Sequence, residues 1–234
     1  MEKFYLLRTE SDPKVIGVKN GITQANIDRS GYSQPEKYDD MIRVLGSNQY
    51  SEYKNKILDM DFEIQCARCL PEAKLTDFLL FGPFLHHCPF LVSERLYTTL
   101  SNFKFPVHKF FKAKVTWAEK TYKYHMLYMP PSINNFIDYS RSTFRSSFDV
   151  NDESAYNFSS ECDFLDFAKN NIGTTGKDIF LNKNFCDNLD LFYLNYIGFI
   201  ISERLKNVLE SSGITSGSKI LPAYGDVPWL TVTR

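Results

Sequence analysis

An α+β fold, with antiparallel sheet elements and helices packed against them, is the class this sequence predicts, and three observations lead there. First, Phe111, Ala113, Val115 and Trp117 alternate with Lys112, Lys114 and Thr116. After a turn at Ala118–Thr121, Tyr122, Tyr124, Met126 and Tyr128 fall opposite Lys123, His125 and Leu127. A period of two marks strands with one buried face, and two such runs so close together form an antiparallel hairpin. Second, Ser93-Glu94-Arg95-Leu96 and Ser202-Glu203-Arg204-Leu205 each follow an apolar run and open an amphipathic stretch, the pattern of a strand running into a capped helix. Third, the 234-residue chain is 43% hydrophobic and 15% aromatic, with 27 basic against 28 acidic residues and a net charge of −1. That composition buries a core unaided. It excludes a disordered, collagen-like or coiled-coil protein, and it provides no global basic field for nucleic acid or anionic lipid.

The elements follow in chain order. Phe4–Arg8 and Val15–Val18 read as short strands, and 26–38 reads as a polar, turn-rich segment with Gly31 and Pro35. Residues 57–64 partly alternate, as an exposed strand does, and helices are expected near Lys74–Leu80 and after Ser93. Pro130-Pro131 ends the hairpin. The last third offers an apolar stretch over 189–201, a helix after Ser202 and a closing turn at Gly225–Trp229. The opening residues lack the apolar core of a signal peptide, and no apolar run approaches the roughly 20 residues of a membrane span. A soluble, cytoplasmic protein of one α+β domain over 1–234 is therefore expected, with a strand- and loop-rich part over 1–70.

The Ser-Glu-Arg-Leu segment is a repeat. Residues 90–101 and 199–210 are identical at six of twelve positions, at a constant offset of 109. In each copy the serine can accept from N–H groups of the first helical turn, and the glutamate sits where the helix dipole favours an anion. The arginine on the flank is left to pair with a carboxylate. Duplicated half-domains and chance reuse of one good cap both account for the repeat. A serine nucleophile at a strand-to-helix bend fits poorly, because the glycines of a nucleophile elbow are missing and Val92 and Ile201 precede the serines.

Five cysteines, an odd number, point to reduced thiols rather than a disulfide framework. Cys66 and Cys69 form a CxxC, and His86-His87-Cys88 follows, so Cys66, Cys69, His86 and Cys88 are the candidate zinc ligands. The second half lacks the usual ligand separation and lies in an apolar stretch between Pro83 and Pro89, which favours core thiols and no bound metal or cofactor. Gly173-Thr174-Thr175-Gly176-Lys177-Asp178 lacks the spacer of a phosphate loop and has Asp where Ser or Thr would hold magnesium, so it reads as a turn. The lysines of 104–114 alternate with buried positions, as a solubilising strand face does, which argues against RNA.

Several short motifs are spread over 75–221: Thr76-Asp77-Phe78, Val92-Ser93-Glu94-Arg95-Leu96, Tyr124-His125-Met126-Leu127, Ile137-Asp138-Tyr139-Ser140-Arg141-Ser142-Thr143-Phe144, Ile201-Ser202-Glu203-Arg204-Leu205 and Gly213-Ile214-Thr215-Ser216-Gly217. In order and spacing they resemble a family of bacterial polymorphic-toxin immunity proteins, the cytoplasmic partners of contact-dependent or type VI secreted toxins. The terminal glycine motif is one residue longer than the family pattern, and 1–70 match nothing in it. The resemblance implies a non-enzymatic protein that binds and blocks one cognate toxin encoded by the adjacent gene, with no nucleic-acid or membrane partner. The candidate contact surface is the acid-rich stretch 149–166, which carries Asp149, Asp152, Glu153, Glu161, Asp163 and Asp166 with Tyr156 among them and no Lys or Arg. A plain solvated loop explains the same charge run. Asp187, Asp190 and Tyr193 mark a second candidate surface. The rival readings are a small hydrolase using His86, His87 or His125, and a zinc-stabilised interaction domain.

Overall fold

In a computed structural model, residues 3–19, 21, 23–130, 136–146, 155–185, 188–223 and 231–233 are described. The strands are β1 (Phe4–Thr9), β2 (Ala25–Ile27), β3 (Glu63–Cys69), β4 (Phe78–Leu79), β5 (Phe81–Gly82), β6 (Leu91–Ser93), β7 (Lys109–Trp117), β8 (Lys120–Tyr128), β9 (Thr143–Ser146), β10 (Tyr156–Asn157), β11 (Thr174–Phe180), β12 (Leu191–Leu194), β13 (Gly198–Ser202), β14 (Ser218–Pro222) and β15 (Thr231–Thr233). The helices are α1 (Pro13–Ile16), α2 (Pro35–Leu45), α3 (Tyr50–Tyr53), α4 (Glu94–Leu100), α5 (Glu161–Asn170) and α6 (Glu203–Ser211). This is an α+β fold. It divides into two compact units, a first of Thr9–Pro130 with Leu209–Lys219, and a second of Met1–Arg8, Pro131–Val208 and Ile220–Arg234.

The first unit is organised by the hairpin. β7 and β8 pair antiparallel from Lys109↔Tyr128 to Trp117↔Lys120 without a break in register. Ala118 and Glu119 close it in two residues with φ of 46° and 65°, the twist that a tight hairpin turn demands even without glycine. The seven-stranded sheet runs β4-β6-β8-β7-β3-β2-β5, with β3 parallel to β7 and β2 parallel to β5. Its buried face carries Phe111, Ala113, Val115, Tyr124, Met126 and Tyr128, packed with Met41, Val44 and Leu45 of α2.

Local chemistry overrides the sequence expectation at several places. Val15–Val18 begins inside a helix. Asp12 accepts from the Lys14 N–H, Pro13 occupies the first helical position, and Gly17 ends the turn at φ 85°. A side chain there would stand 2.2 Å from the Glu72 carbonyl oxygen. Residues 26–38 hold the end of β2, a 3-10 turn at Arg29–Gly31 and the start of α2, whose Pro35 opening and Met41, Val44, Leu45 spacing are the helix signals in that stretch. Ile57–Asp59 is a 3-10 turn with Ile57 fully buried, and the strand starts only at Glu63. Lys74–Leu80 forms no helix. Phe78 and Leu79 instead pair with Val92 and Leu91, a short apolar run buried as a strand, which periodicity cannot separate from a buried helix.

The second unit has two four-stranded sheets, β12-β13-β1-β14 and β10-β9-β11-β15. The 189–201 stretch is a hairpin, with Leu191↔Ile201 through Leu194↔Gly198 in register. Phe4, Phe136, Phe185 and Phe192 pack edge to face at 5.0–6.2 Å between ring centres, and Phe144 and Phe164 extend this aromatic core. The expected turn at 173–178 is instead the beginning of β11: Gly173 takes the left-handed φ of 86°, and Thr174 onward pairs with β9.

Candidate functional site

The two Ser-Glu-Arg-Leu segments fold into the same joint. In the first, Asp77 immediately precedes β4, and Phe78 pairs with Val92, so Asp77 faces Ser93 where the chain leaves β6 for α4. The Ser93 N–H donates to the Asp77 carbonyl at 2.9 Å, and the Ser93 hydroxyl donates to Asp77 Oδ1 at 2.7 Å. Arg95 grips the same carboxylate with two N–H groups, Nε to Oδ1 and Nη2 to Oδ2, both at 2.6 Å. Ser93 Oγ also accepts from the Leu96 N–H at 3.3 Å, which caps the helix. In the second, Leu191 pairs with Ile201, so Asp190 faces Ser202. The Ser202 N–H donates to the Asp190 carbonyl at 2.9 Å and the hydroxyl to Oδ1 at 2.8 Å. Arg204 holds the carboxylate through Nε at 3.0 Å and through Nη2, and Ser202 Oγ accepts from the Leu205 N–H at 3.1 Å.

Both aspartates are 2% exposed, whereas the Arg95 and Arg204 side chains are 59% and 60% exposed. Burial pushes the Asp77 carboxyl up, but hydrogen bonds from Arg95, Ser216 and Ser93 outweigh it and hold the group below the usual carboxylate range. Each arginine is correspondingly held further into its charged form by the aspartate it grips. Chemically the joint is a clamp: the carboxylate fixes two donors from the strand-to-helix turn, and the serine is committed at both its donor and acceptor sites. Neither serine is presented as a nucleophile. The serine, glutamate and arginine of each copy were legible in the sequence, but the aspartate that each pairs with was not. Asp77 to Ser93 spans 16 residues and Asp190 to Ser202 spans 12, so the aspartates fall out of the constant offset of 109.

No family model and no curated protein matches the chain.

Among the described residues the candidate cysteines and histidines form no metal-binding cluster. Cys66 packs against Gly31, where an added side chain would lie 2.4 Å from its Cβ, while Cys69 packs against both the main core and the small cluster of Ile16, Val18 and Ala73. Burial pushes the Cys69 thiol up to about 11 and the Cys88 thiol higher, the opposite of what a metal-bound thiolate needs. His86 stacks on Tyr50 at 4.8 Å. Among the described residues no group of three or more His, Cys, Asp or Glu side chains is close enough to hold a metal ion, so the proposed set Cys66, Cys69, His86 and Cys88 is not assembled. His87 packs beside the same tyrosine, where burial and then the neighbouring His86 push it down to about 4. His125 belongs to a different place. It stacks on Tyr97 at 3.8 Å and shares a 2.8 Å hydrogen bond with Glu94 in the first turn of α4. His86 and His87 thus share Tyr50, and His125 has Tyr97 and Glu94 as its partners.

The acidic stretch divides in two. Asp149, Asp152 and Glu153, with Asp187 of the second candidate surface, lie outside the described residues. Tyr156 is in β10, and Glu161, Asp163 and Asp166 are in α5, which Ser160 caps by accepting from the Asp163 N–H at 3.2 Å. Glu161 and Asp163 stand in the first turn, where the helix dipole favours them. Hydrogen bonds from Ser159 and Ser160 hold Asp163 below the usual carboxylate range. Asp166 pairs with Lys169 at 2.6 Å. Of the aromatics in this stretch, Phe164 is fully buried in the core, while Tyr156, Phe158 and Phe167 are half-buried, the Phe167 ring of α5 meeting Tyr156 at 4.8 Å and Phe158 at 5.2 Å. Asp190, from the other candidate surface, is the buried member of the second clamp. No helix among the described residues is long and apolar enough to cross a membrane.

Proposed function

We propose that this protein is an immunity protein of the polymorphic-toxin type, which neutralises a cognate secreted toxin in the bacterial cytoplasm by binding it and turns over no substrate. The observation that carries this reading is the acidic face of α5. Asp163 and Asp166 are exposed with Glu161 beside them, Asp166 paired with Lys169, on a helix whose underside is fixed to an aromatic core. A rigid anionic surface speeds and orients the approach of a basic partner without losing side-chain order on binding. The two clamps supply the scaffold. They account for the Ser-Glu-Arg-Leu motifs as joints, in keeping with the family resemblance of the sequence. The test is co-expression with the product of the neighbouring gene. A tight complex and protected cells are expected, with affinity falling at least about tenfold when Glu161, Asp163 and Asp166 are replaced together by lysine. No complex, or a complex indifferent to those charges, contradicts the reading.

A further inference from the structure

β8 is longer than the strand beside it. β6 pairs with Tyr124, His125 and Met126 only, because at Ser93 the clamp turns the chain into α4. Lys120–Lys123 therefore have β7 on one side and, among the described residues, no strand on the other. Backbone N–H and C=O groups left along such an edge are a template for another extended chain. A cavity of about 390 Å³ opens beside this edge, with Leu75 and Tyr122 supplying apolar lining and Lys123, Arg95 and Glu94 at its rim.

The charges there favour one kind of partner. Glu94 is engaged by His125, and Asp77 is buried and saturated by Arg95, Ser93 and Ser216. Lys120 and Lys123 are exposed, and neither has an ion-pair partner among the described residues. Lys123 also lies directly opposite Lys114, a like-charge pairing that Glu63, 3.2 Å from Lys114, offsets. Lysines on an edge repel a second copy of the same edge, so they select against self-pairing while admitting an anionic strand.

We propose that the Lys120–Lys123 edge is a docking site for an extended, acidic segment of a partner protein. The segment adds as a strand beside β8, sets carboxylates against Lys123 and the exposed side of Arg95, and places an apolar side chain between Leu75 and Tyr122. This site uses none of the α5 residues and stands or falls independently of the toxin-binding reading.

The test is titration of the intact chain with a short peptide alternating glutamate and valine, followed by backbone amide NMR. The amide signals of Lys120–Lys123 and Arg95 are expected to shift and to exchange more slowly. Lys123→Glu should weaken binding by about tenfold, while Lys112→Glu, away from the edge, should change it less than about twofold. The same peptide with lysine for glutamate, or interrupted by proline, should not bind. Equal binding by either control peptide, shifts confined to other strands, no shifts at millimolar peptide, or concentration-dependent pairing of the chain with itself through this edge would each overturn the proposal.

Discussion

The two clamps share a register and differ in the loop that feeds them. In the second, Asp190 and Ser202 are joined by a tight hairpin, β12 to β13, turning through Tyr196 at φ 62°. In the first, four more residues separate Asp77 from Ser93, and the chain between them makes an excursion in which β5 pairs with β2. The joint itself is unchanged: aspartate before one strand, serine at the end of its partner, arginine two residues on. The first clamp also receives the Ser216 hydroxyl on Asp77 Oδ2 at 2.7 Å, and Arg95 reaches the Gly213 carbonyl at 3.4 Å. Gly217 passes so close that a side chain there would stand 2.0 Å from the Phe78 carbonyl. What is repeated is therefore a pairing register. Sequence spacing is free to vary, because antiparallel pairing, not chain length, brings aspartate to serine.

The comparison breaks most visibly at the aspartates. Asp77→Ala removes the acceptor of two hydroxyls and one guanidinium, and should cost about 3 kcal/mol. Asp190→Ala should cost about 2–3 kcal/mol, with both figures held down because each exposed arginine can turn to water. Urea denaturation of the two variants checks both figures, and a variant as stable as the parent would mean that its clamp adds nothing. Next in size, Ser93→Ala and Ser202→Ala each delete a cap and a hydroxyl donor to the aspartate, at about 1–2 kcal/mol apiece in the same measurement. The smallest effect lies in the pH dependence. Because Asp77 titrates below its unfolded value, its contribution is complete above about pH 4 and is lost as pH falls through the folded value. Asp77→Asn should therefore flatten the acid limb of the stability profile and leave its neutral and alkaline parts parallel to the parent.

Legibility in the sequence followed the same division between local and non-local causes. The β7–β8 hairpin was readable, since Phe111, Ala113 and Val115 alternate with exposed lysines and nothing outside the strands is needed to see it, although Lys120 and Thr121 of the expected turn belong to β8. The serine caps were readable for the same reason. The aspartate partners were not, because their distance from the serine depends on a loop. The acidic stretch showed its charge but not its direction: Phe164 and Asp166 are two residues apart, yet one is in the core and the other exposed, and the helical period of α5 separates them. The edge of β8 was likewise invisible, because it exists only where β6 stops short.

Native-state hydrogen exchange on the full chain tests the equivalence of the two joints most directly. Asp77→Asn should speed exchange of the Ser93 and Leu96 amides, and Asp190→Asn that of the Ser202 and Leu205 amides, each variant loosening its own strand-to-helix turn. Unchanged protection at those four amides, or loosening in one copy alone, would contradict the reading of both Ser-Glu-Arg-Leu segments as a single repeated clamp.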